Sequence, residues 1–208
     1  MANTTFAEEV YLRALTGKVV GAHVLGDYEK VAVISLKNII CSATAAAAEA
    51  VYSENTGGRA AHFVVETENV SDTINHVIDF EPEAVLLLFG GETSFDETKA
   101  LFQETVKALA DSNTEMDILV HVRIFAAGGV AEAIKDKTVL RYLQNNTVNV
   151  YTVDFEKGFI LYNELYIPNS DTIELVRIAD IPITVEHADL LNRSLRNKTI
   201  SWKNTTDN

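Results

Sequence analysis

The sequence predicts an α/β fold, a three-layer sandwich in which helices cover both faces of a mostly parallel central sheet. Short apolar runs alternate with helical patterns from residue 31 to residue 143. The run at 85–89 is continuously apolar, as expected of a strand that is covered on both faces. Helix-start signals follow such runs directly, and this order of strand and helix favours parallel βαβ units.

The first half of the chain supplies most of these elements. Thr5 and Glu8 have the spacing of a capping box, so a short helix is expected to start there and to stop at Gly17. Alanine is the best helix former, which makes the alanine-rich segment helical. Strands are expected at residues 19–25, 31–36, 60–65 and 84–89, and further helices at 42–53 and 70–80.

In the second half of the chain, the alternation of strands and helices gives way after residue 145 to successive strands. Ser94 and Glu97 form a second capping box, which starts a helix with an apolar face. Later elements are expected as strands at 118–125, 148–155, 159–167 and 171–178 and as a helix at 130–143. We expect a single domain over residues 1–208, with core βαβ units at 31–145, an appended β-hairpin region at 146–183 and a closing helix at 184–200.

Composition limits the classes of function. Lys plus Arg total 17 against 30 Asp plus Glu, and the net charge of −13 predicts no nucleic-acid or membrane partner. Cys41 is the only cysteine, which excludes an intramolecular disulfide and favours a reducing, cytoplasmic location. The five histidines lack metal-ligand spacing, and no dinucleotide or phosphate-loop motif occurs, so neither metal nor cofactor is expected.

Two small, hydroxyl-rich turns follow apolar runs and open helices, at residues 41–44 and 90–94. The first backbone N–H groups of a helix lack intrahelical partners and lie at the positive end of its dipole, so such turns can bind anions. On neighbouring parallel strands the two turns would face one crevice. Serine and threonine are also ordinary N-cap residues, so plain capping explains the same pattern.

The stretch from residue 31 to about 136 resembles a sugar isomerase (SIS) domain, an α/β module that binds phosphosugars. The resemblance is carried by Cys41-Ser42-Ala43-Thr44, by Glu66-Thr67-Glu68 after a strand, and by Leu88-Phe89-Gly90-Gly91-Glu92-Thr93. Leu88 and Gly90 stand where that family has serines. The resemblance implies a phosphorylated small molecule as partner, with aldose–ketose isomerisation in an active member and binding alone in a sensor form.

This resemblance also implies a set of site residues. The candidates for catalysis are Glu66, Glu92 and His62, and those for substrate binding are Ser42, Thr44, Gly91, Thr93 and Ser94. The carboxylates would move a proton between adjacent carbons, and His62 would help to open the sugar ring.

A second resemblance covers the same residues. Gly17-Lys18-Val19-Val20-Gly21-Ala22-His23, the Leu88 to Gly91 turn and Val120-His121-Val122 are similar to a circularly permuted bacterial microcompartment shell protein. That alternative implies a non-catalytic structural oligomer, with a loop over residues 70–80. Either way we expect a homo-oligomer, because the hairpin at 148–167 carries more large apolar side chains than one sheet edge needs.

Overall fold

The computed structural model describes residues 4–154 and 156–196. Seven strands form one sheet. The strands are β1 (Lys30–Leu36), β2 (Arg59–Val65), β3 (Ala84–Leu88), β4 (Asp117–Val120), β5 (Val148–Asp154), β6 (Phe159–Asn169) and β7 (Thr172–Pro182). Their order across the sheet is β2-β1-β3-β4-β5-β6-β7.

Helices cover both faces of this sheet. They are α1 (Phe6–His23), α2 (Ile39–Thr56), α3 (Val70–Phe80), α4 (Phe95–Ser112), α5 (Val122–Ala126), α6 (Gly129–Ala133), α7 (Lys137–Asn145) and α8 (Val185–Arg196), and a 3-10 turn spans Thr67–Asn69. One core joins α1 and α2 to one sheet face, and the other joins α3, α4, α6 and α7 to the opposite face. Helix α8 packs on α1 through Leu190 and Leu191, which contact Leu12.

The α/β class and the layered architecture predicted from the sequence are confirmed. Strands β1 to β5 run parallel, with Val33 of β1 between His62 of β2 and Leu86 of β3. Strands β6 and β7 continue the sheet in the antiparallel sense, so the hairpin extends the sheet edge. The order of the strands reverses between β1 and β3. The connection after β1 leads to α2 on one face of the sheet, and the connection after β3 leads to α4 on the opposite face.

The amino-terminal prediction of a short helix and a strand at 19–25 is wrong. Helix α1 runs without interruption through Gly17 to His23. A Cβ on Gly17 would lie 2.3 Å from the carbonyl oxygen of Thr44, and one on Gly21 would lie 2.3 Å from that of Ala48. The glycines are therefore a packing surface that lets α1 touch the backbone of α2, and Gly17 does not end the helix.

Other boundaries shift by smaller amounts. Strand β4 stops at Val120, and the predicted helix at 130–143 is two helices, α6 and α7. The third strand of the hairpin region extends to Pro182, and the closing helix is α8. Position 155 of the predicted hairpin and positions 197–200 of the predicted closing helix lie outside the described residues. The single-domain boundaries stay a prediction.

Candidate functional site

The candidate site lies at the carboxyl end of the parallel strands, where the strand order reverses. In doubly wound sheets this is the position of the ligand crevice. A cleft of about 380 Å³ opens here. It is lined by Leu36, Lys37 and Asn38 at the end of β1, by Glu66, Thr67 and Glu68 after β2, and by Glu92, Thr93 and Glu97 after β3. A wider groove of about 710 Å³ runs between α3 and α4 on the outer surface of the helices.

The two predicted turns meet at the centre of this edge. The Nδ2 atom of Asn38 donates a hydrogen bond of 3.1 Å to the carbonyl oxygen of Gly90, while its Oδ1 accepts 2.7 Å from the amide of Cys41. Gly91 has a φ of 67°, and a Cβ there would lie 3.0 Å from both Asn38 and Ile40. Direct packing therefore fills the space between the turns.

Helix α2 begins earlier than the sequence pattern suggested, with Asn38 as its N-cap. The amide of Ser42 donates to the carbonyl oxygen of Asn38 at 3.0 Å, so it already belongs to the helical ladder. Thr44 is buried, and its Oγ1 donates to the carbonyl oxygen of Ile40 at 3.2 Å. The amide of Ser42 and the hydroxyl of Thr44 are thus used within the helix.

The amides and hydroxyls at the start of α4 also find their hydrogen-bond partners within the protein. Ser94 accepts from the amide of Glu97 at 3.2 Å, and the Glu97 carboxylate accepts from the amide of Ser94 at 2.8 Å. The Oγ1 of Thr93 donates to the carbonyl oxygen of Gly90 at 3.0 Å and lies 3.1 Å from the hydroxyl of Thr98. Plain capping, the alternative left open above, accounts for these hydroxyls.

Carboxylates dominate the charge of the cleft. Glu66, Glu68, Glu92 and Glu97 line it, and its cation Lys37 pairs with Glu66 at 3.1 Å. Hydrogen bonding from the backbone and side chain of Ser94 lowers the pKa of Glu97, which keeps that carboxylate ionised. A phosphorylated ligand would meet like charge here.

His62 lies apart from the cleft. It sits in the middle of the edge strand β2, and its Nε2 is 2.7 Å from the hydroxyl of Ser35. Burial lowers the pKa of His62 and so favours the neutral ring. The structure therefore brings Glu66, Glu92 and Thr93 to one cleft and leaves His62 outside it.

Sequence reasoning missed two residues that shape this edge. Asn38 precedes a helix, and its position just after a strand is an N-cap signal that could have revealed it. The side chain of Arg123 crosses Gly90, where a Cβ would lie 2.2 Å from its Cδ. Its guanidinium donates to the carbonyl oxygen of Thr93 and lies 4.7 Å from the ring centroid of Phe95. Nothing in the local sequence marks Arg123 for this position.

Within residues 4–154 and 156–196, no group of three or more His, Cys, Asp or Glu side chains is arranged to hold a metal ion. None of the helices in that part of the chain combines the length and apolar character needed to cross a bilayer.

The chain is similar to a family model and to several solved structures. A family model described as "Uncharacterized protein" matches residues 9–190. No curated protein matches the chain. Solved structures do match the chain.

Three of these structures have a TM-score just under 0.5. A leucine binding protein from Thermotoga maritima gives 0.48 at 12% identity, over 70% of this chain and 39% of that one. LpoA from Haemophilus influenzae gives a TM-score of 0.49 at 11% identity, over 70% of this chain and 24% of LpoA. An extracellular ligand-binding receptor from Verminephrobacter eiseniae gives a TM-score of 0.47 at 10% identity, over 69% of this chain and 37% of the receptor. The chain spans less than two fifths of the length of these proteins.

The resemblance to a SIS domain is corrected here: the interpretation as a phosphosugar isomerase or phosphosugar sensor is wrong. The internal capping of both turns and the acidic cleft give the physical reason. The shell-protein alternative is not supported either, because residues 70–80 form helix α3 where that resemblance needs a loop.

Proposed function

This chain belongs to the family described as "Uncharacterized protein", and from that premise we propose that it is a small-molecule-binding domain whose ligand carries a positive charge, such as an amine. One observation carries the proposal. The cleft at the reversal of strand order is lined by four glutamates and one lysine. Its place in the fold is that of a ligand crevice, and its charge selects against anions.

The chemistry of recognition follows from the lining. Lys37 already pairs with Glu66, which leaves Glu68 and Glu92 as exposed carboxylates near the mouth of the cleft. An ammonium group would gain charge-assisted hydrogen bonds from such oxygens. Thr67 and Thr93 add hydroxyl groups to the wall. Glu92 and Thr93, which the sequence pattern singled out, thus become proposed ligand-binding residues for a different kind of ligand, while Glu66 pairs with Lys37 in the wall of the cleft.

The test is a thermal-shift screen followed by calorimetry. The panel contains amino acids, small amines, neutral sugars and phosphorylated sugars, measured at one ionic strength. We expect saturable stabilisation by amine-bearing members alone, because binding to the folded state raises the melting temperature. If neutral or phosphorylated members bind and amines do not, the proposed ligand charge is wrong. If no amine shifts the melting temperature at millimolar concentration, the proposed function fails.

Charge-neutral variants assign the site. Glu92→Gln and Glu68→Gln should each weaken amine binding about 3- to 10-fold, as expected for the loss of one charged partner. Glu54→Gln is the matched control, because Glu54 is exposed near the carboxyl end of α2, at the opposite edge of the sheet. An equal loss in the control would show a general charge effect.

Location and assembly are proposed on separate grounds. A cytoplasmic location is supported by the single cysteine, Cys41, which is buried as a free thiol. Association of two copies is supported by the exposed apolar side chains of the β6–β7 hairpin, Tyr166, Leu175, Val176 and Ile178.

A further inference from the structure

A small pocket lies at the opposite edge of the sheet from the acidic cleft, where α4 ends and the chain leads into β4. Its volume is about 150 Å³, which is room for a ligand of a few non-hydrogen atoms. One wall is the segment after α4, which contains Asn113 and Glu115. The other wall belongs to α7 and carries Arg141, Tyr142 and Asn145. None of these residues lines the acidic cleft.

The wall formed by α7 is a single helical face. Intervals of three and four residues place the pocket-lining side chains on one side of the helix, and these are Thr138, Arg141, Tyr142 and Asn145. Asn146, just after the helix, joins the two walls. Its Nδ2 donates to the carbonyl oxygen of Tyr142 at 2.8 Å, and its Oδ1 accepts from the amide of Met116 at 3.1 Å. The pocket is therefore held in shape by hydrogen bonds within the protein.

The hydroxyl of Tyr142 is the first observation that points to a ligand. Tyr142 lines the pocket and is 7% exposed, and its Oη has no hydrogen-bond partner among the described residues. A buried hydroxyl in this state has lost its hydrogen bonds to water and gained none in return. Burial also raises the pKa of Tyr142, so the hydroxyl keeps its proton and stays a donor. A ligand that brings an acceptor would supply the missing bond.

Two opposite charges in the same pocket are the second observation. Arg141 lies on α7 and Glu115 lies just before β4, and both residues are exposed. Within residues 4–154 and 156–196, neither side chain has an ion-pair or hydrogen-bond partner, and they do not pair with each other. A ligand that pairs with both therefore carries a negative group and a positive group.

We propose that this pocket binds a small zwitterion, an α-amino acid of about the size of alanine, between Arg141 and Glu115. The ligand carboxylate pairs with the planar guanidinium of Arg141 and accepts the hydrogen bond of the Tyr142 hydroxyl, while the ligand ammonium pairs with Glu115. The small volume favours a short side chain. The site is independent of the amine site proposed above, because the two share no residue and lie at opposite edges of the sheet.

The experiment titrates the full chain with L-alanine and follows the backbone amides by NMR. We expect saturable shifts of the amides around the pocket, at residues 113–115 and 141–146. Amine binding in the acidic cleft would instead shift the amides at 66–68 and 92–94, so position separates the two sites and either can fail alone. No saturable shift around the pocket at millimolar alanine would overturn the proposal.

Two simpler probes test the charges of the ligand. Propionate lacks the ammonium group and ethylamine lacks the carboxylate. Each should bind the pocket at least about 10-fold more weakly than alanine, as expected for the loss of one charged partner. Equal affinity of alanine and either probe at this pocket would show that it does not recognise a zwitterion.

The diagnostic variant is Tyr142→Phe, which removes only the unpartnered hydroxyl. It should fold and should bind alanine about 3- to 10-fold more weakly than wild type. Tyr151→Phe is the matched control, because Tyr151 also carries a buried, unpartnered hydroxyl but packs in the core on the opposite face of the sheet. Equal alanine affinities of the two variants would reject the assignment of Tyr142.

Charge-neutral variants assign the two ends of the ligand. Arg141→Gln should weaken alanine binding about 10-fold and leave the weaker binding of ethylamine unchanged, because ethylamine has no carboxylate. Glu115→Gln should likewise weaken the binding of alanine and spare that of propionate. Lys18→Gln is the control for the lost positive charge, since Lys18 is exposed on α1. A loss in this control equal to that in Arg141→Gln would contradict the proposal.

Discussion

Asn38 joins the two strands between which the order of the sheet reverses. Its side-chain amide donates to the carbonyl oxygen of Gly90 at 3.1 Å, and its side-chain oxygen caps α2 through Cys41. One residue thus fixes the distance between the β1–α2 and β3–α4 connections. The cleft, which both connections line, is positioned by this bridge.

Removal of the bridge should therefore destabilise the fold. Asn38→Ala loses both the cap and the contact with Gly90, and we expect a loss of about 1–3 kcal/mol in the free energy of unfolding, measured in urea. Asn38→Asp retains an acceptor for the cap but has no donor for the Gly90 carbonyl, so its loss should be intermediate. Equal stability of wild type and Asn38→Ala would show that the bridge contributes nothing.

The contact of α1 with α2 gives a second prediction. Gly17→Ala would place a methyl group against the Thr44 carbonyl oxygen, and overpacking of this kind costs about 1–3 kcal/mol, partly offset by about 1 kcal/mol of helix propensity. Chemical denaturation should show a net loss of up to about 2 kcal/mol. Gly26→Ala is the control, since its nearest atom would be 3.9 Å away. A stabilised Gly17→Ala would mean that the helices separate at little cost.

Two histidines with lowered pKa values should make stability depend on pH. Burial lowers the pKa of His121 to about 3 and that of His187 to about 4, below the value of about 6.5 expected when unfolded. The unfolded state then binds more protons, so the stabilisation is complete above about pH 6.5 and is lost as the pH falls toward the folded values. Each histidine contributes a slope of up to about 1.4 kcal/mol per pH unit.

The measurement is urea unfolding between about pH 5 and 7. His121→Asn keeps an acceptor for the Arg123 amide and should show a shallower slope than wild type, whatever its stability at neutral pH. His76→Asn is the control, because His76 is exposed on α3. Parallel pH profiles of His121→Asn and wild type would contradict the prediction.

The thiol of Cys41 should react slowly in the folded protein. It is 5% exposed, and burial raises its pKa to about 11 in spite of the nearby arginines. Both effects reduce the thiolate that attacks a disulfide reagent. We expect modification by an aromatic disulfide at pH 8 to be at least about 100-fold slower than in urea, as the thiolate fraction and access both fall. Similar rates in the two conditions would show that the thiol is accessible.

The outer hairpin gives a prediction about association. Val176 and Ile178 are each 50% exposed on β7, which is an edge strand with an unpaired side. Val176→Lys and Ile178→Lys should leave the free energy of unfolding within about 0.5 kcal/mol of wild type and should abolish any concentration-dependent dimer in sedimentation velocity. Ile181→Lys is the contrast, because Ile181 is buried and its loss should unfold the chain. A dimer that survives both exposed substitutions would place the interface elsewhere.

The sequence was a good guide to this fold where one local signal determined the element. The buried run of β3, the capping box at Ser94 and Glu97 and the alanine-rich helix were all visible in the chain. The helix end predicted at Gly17 was wrong because a glycine gives the same local signal whether it ends a helix or lets a neighbouring helix approach. Only the position of the Thr44 carbonyl distinguishes the two.

The site was harder to predict for a related reason. A hydroxyl at a strand-to-helix turn suits an anion only when its helix has no other cap, and the caps supplied by Asn38 and Glu97 depend on side-chain geometry. The cleft also combines carboxylates from two separate connections, Glu66 and Glu68 after β2 and Glu92 and Glu97 after β3. No local pattern shows that such groups converge. Arg123 reaches this edge through tertiary packing alone.

The contact between α1 and α8 has a consequence for the order of folding. Ser194 meets Glu9 at 2.7 Å and Arg193 meets Glu8 at 3.0 Å, across 185 residues of chain. Closing so long a loop is entropically expensive, whereas β3 to β7 pair with strands that follow one another in sequence. The Glu9 carboxylate gains its bond from Ser194 only when α8 docks. We therefore expect docking of α8 to be the last step of folding and, in native-state hydrogen exchange, this contact to be the first to open.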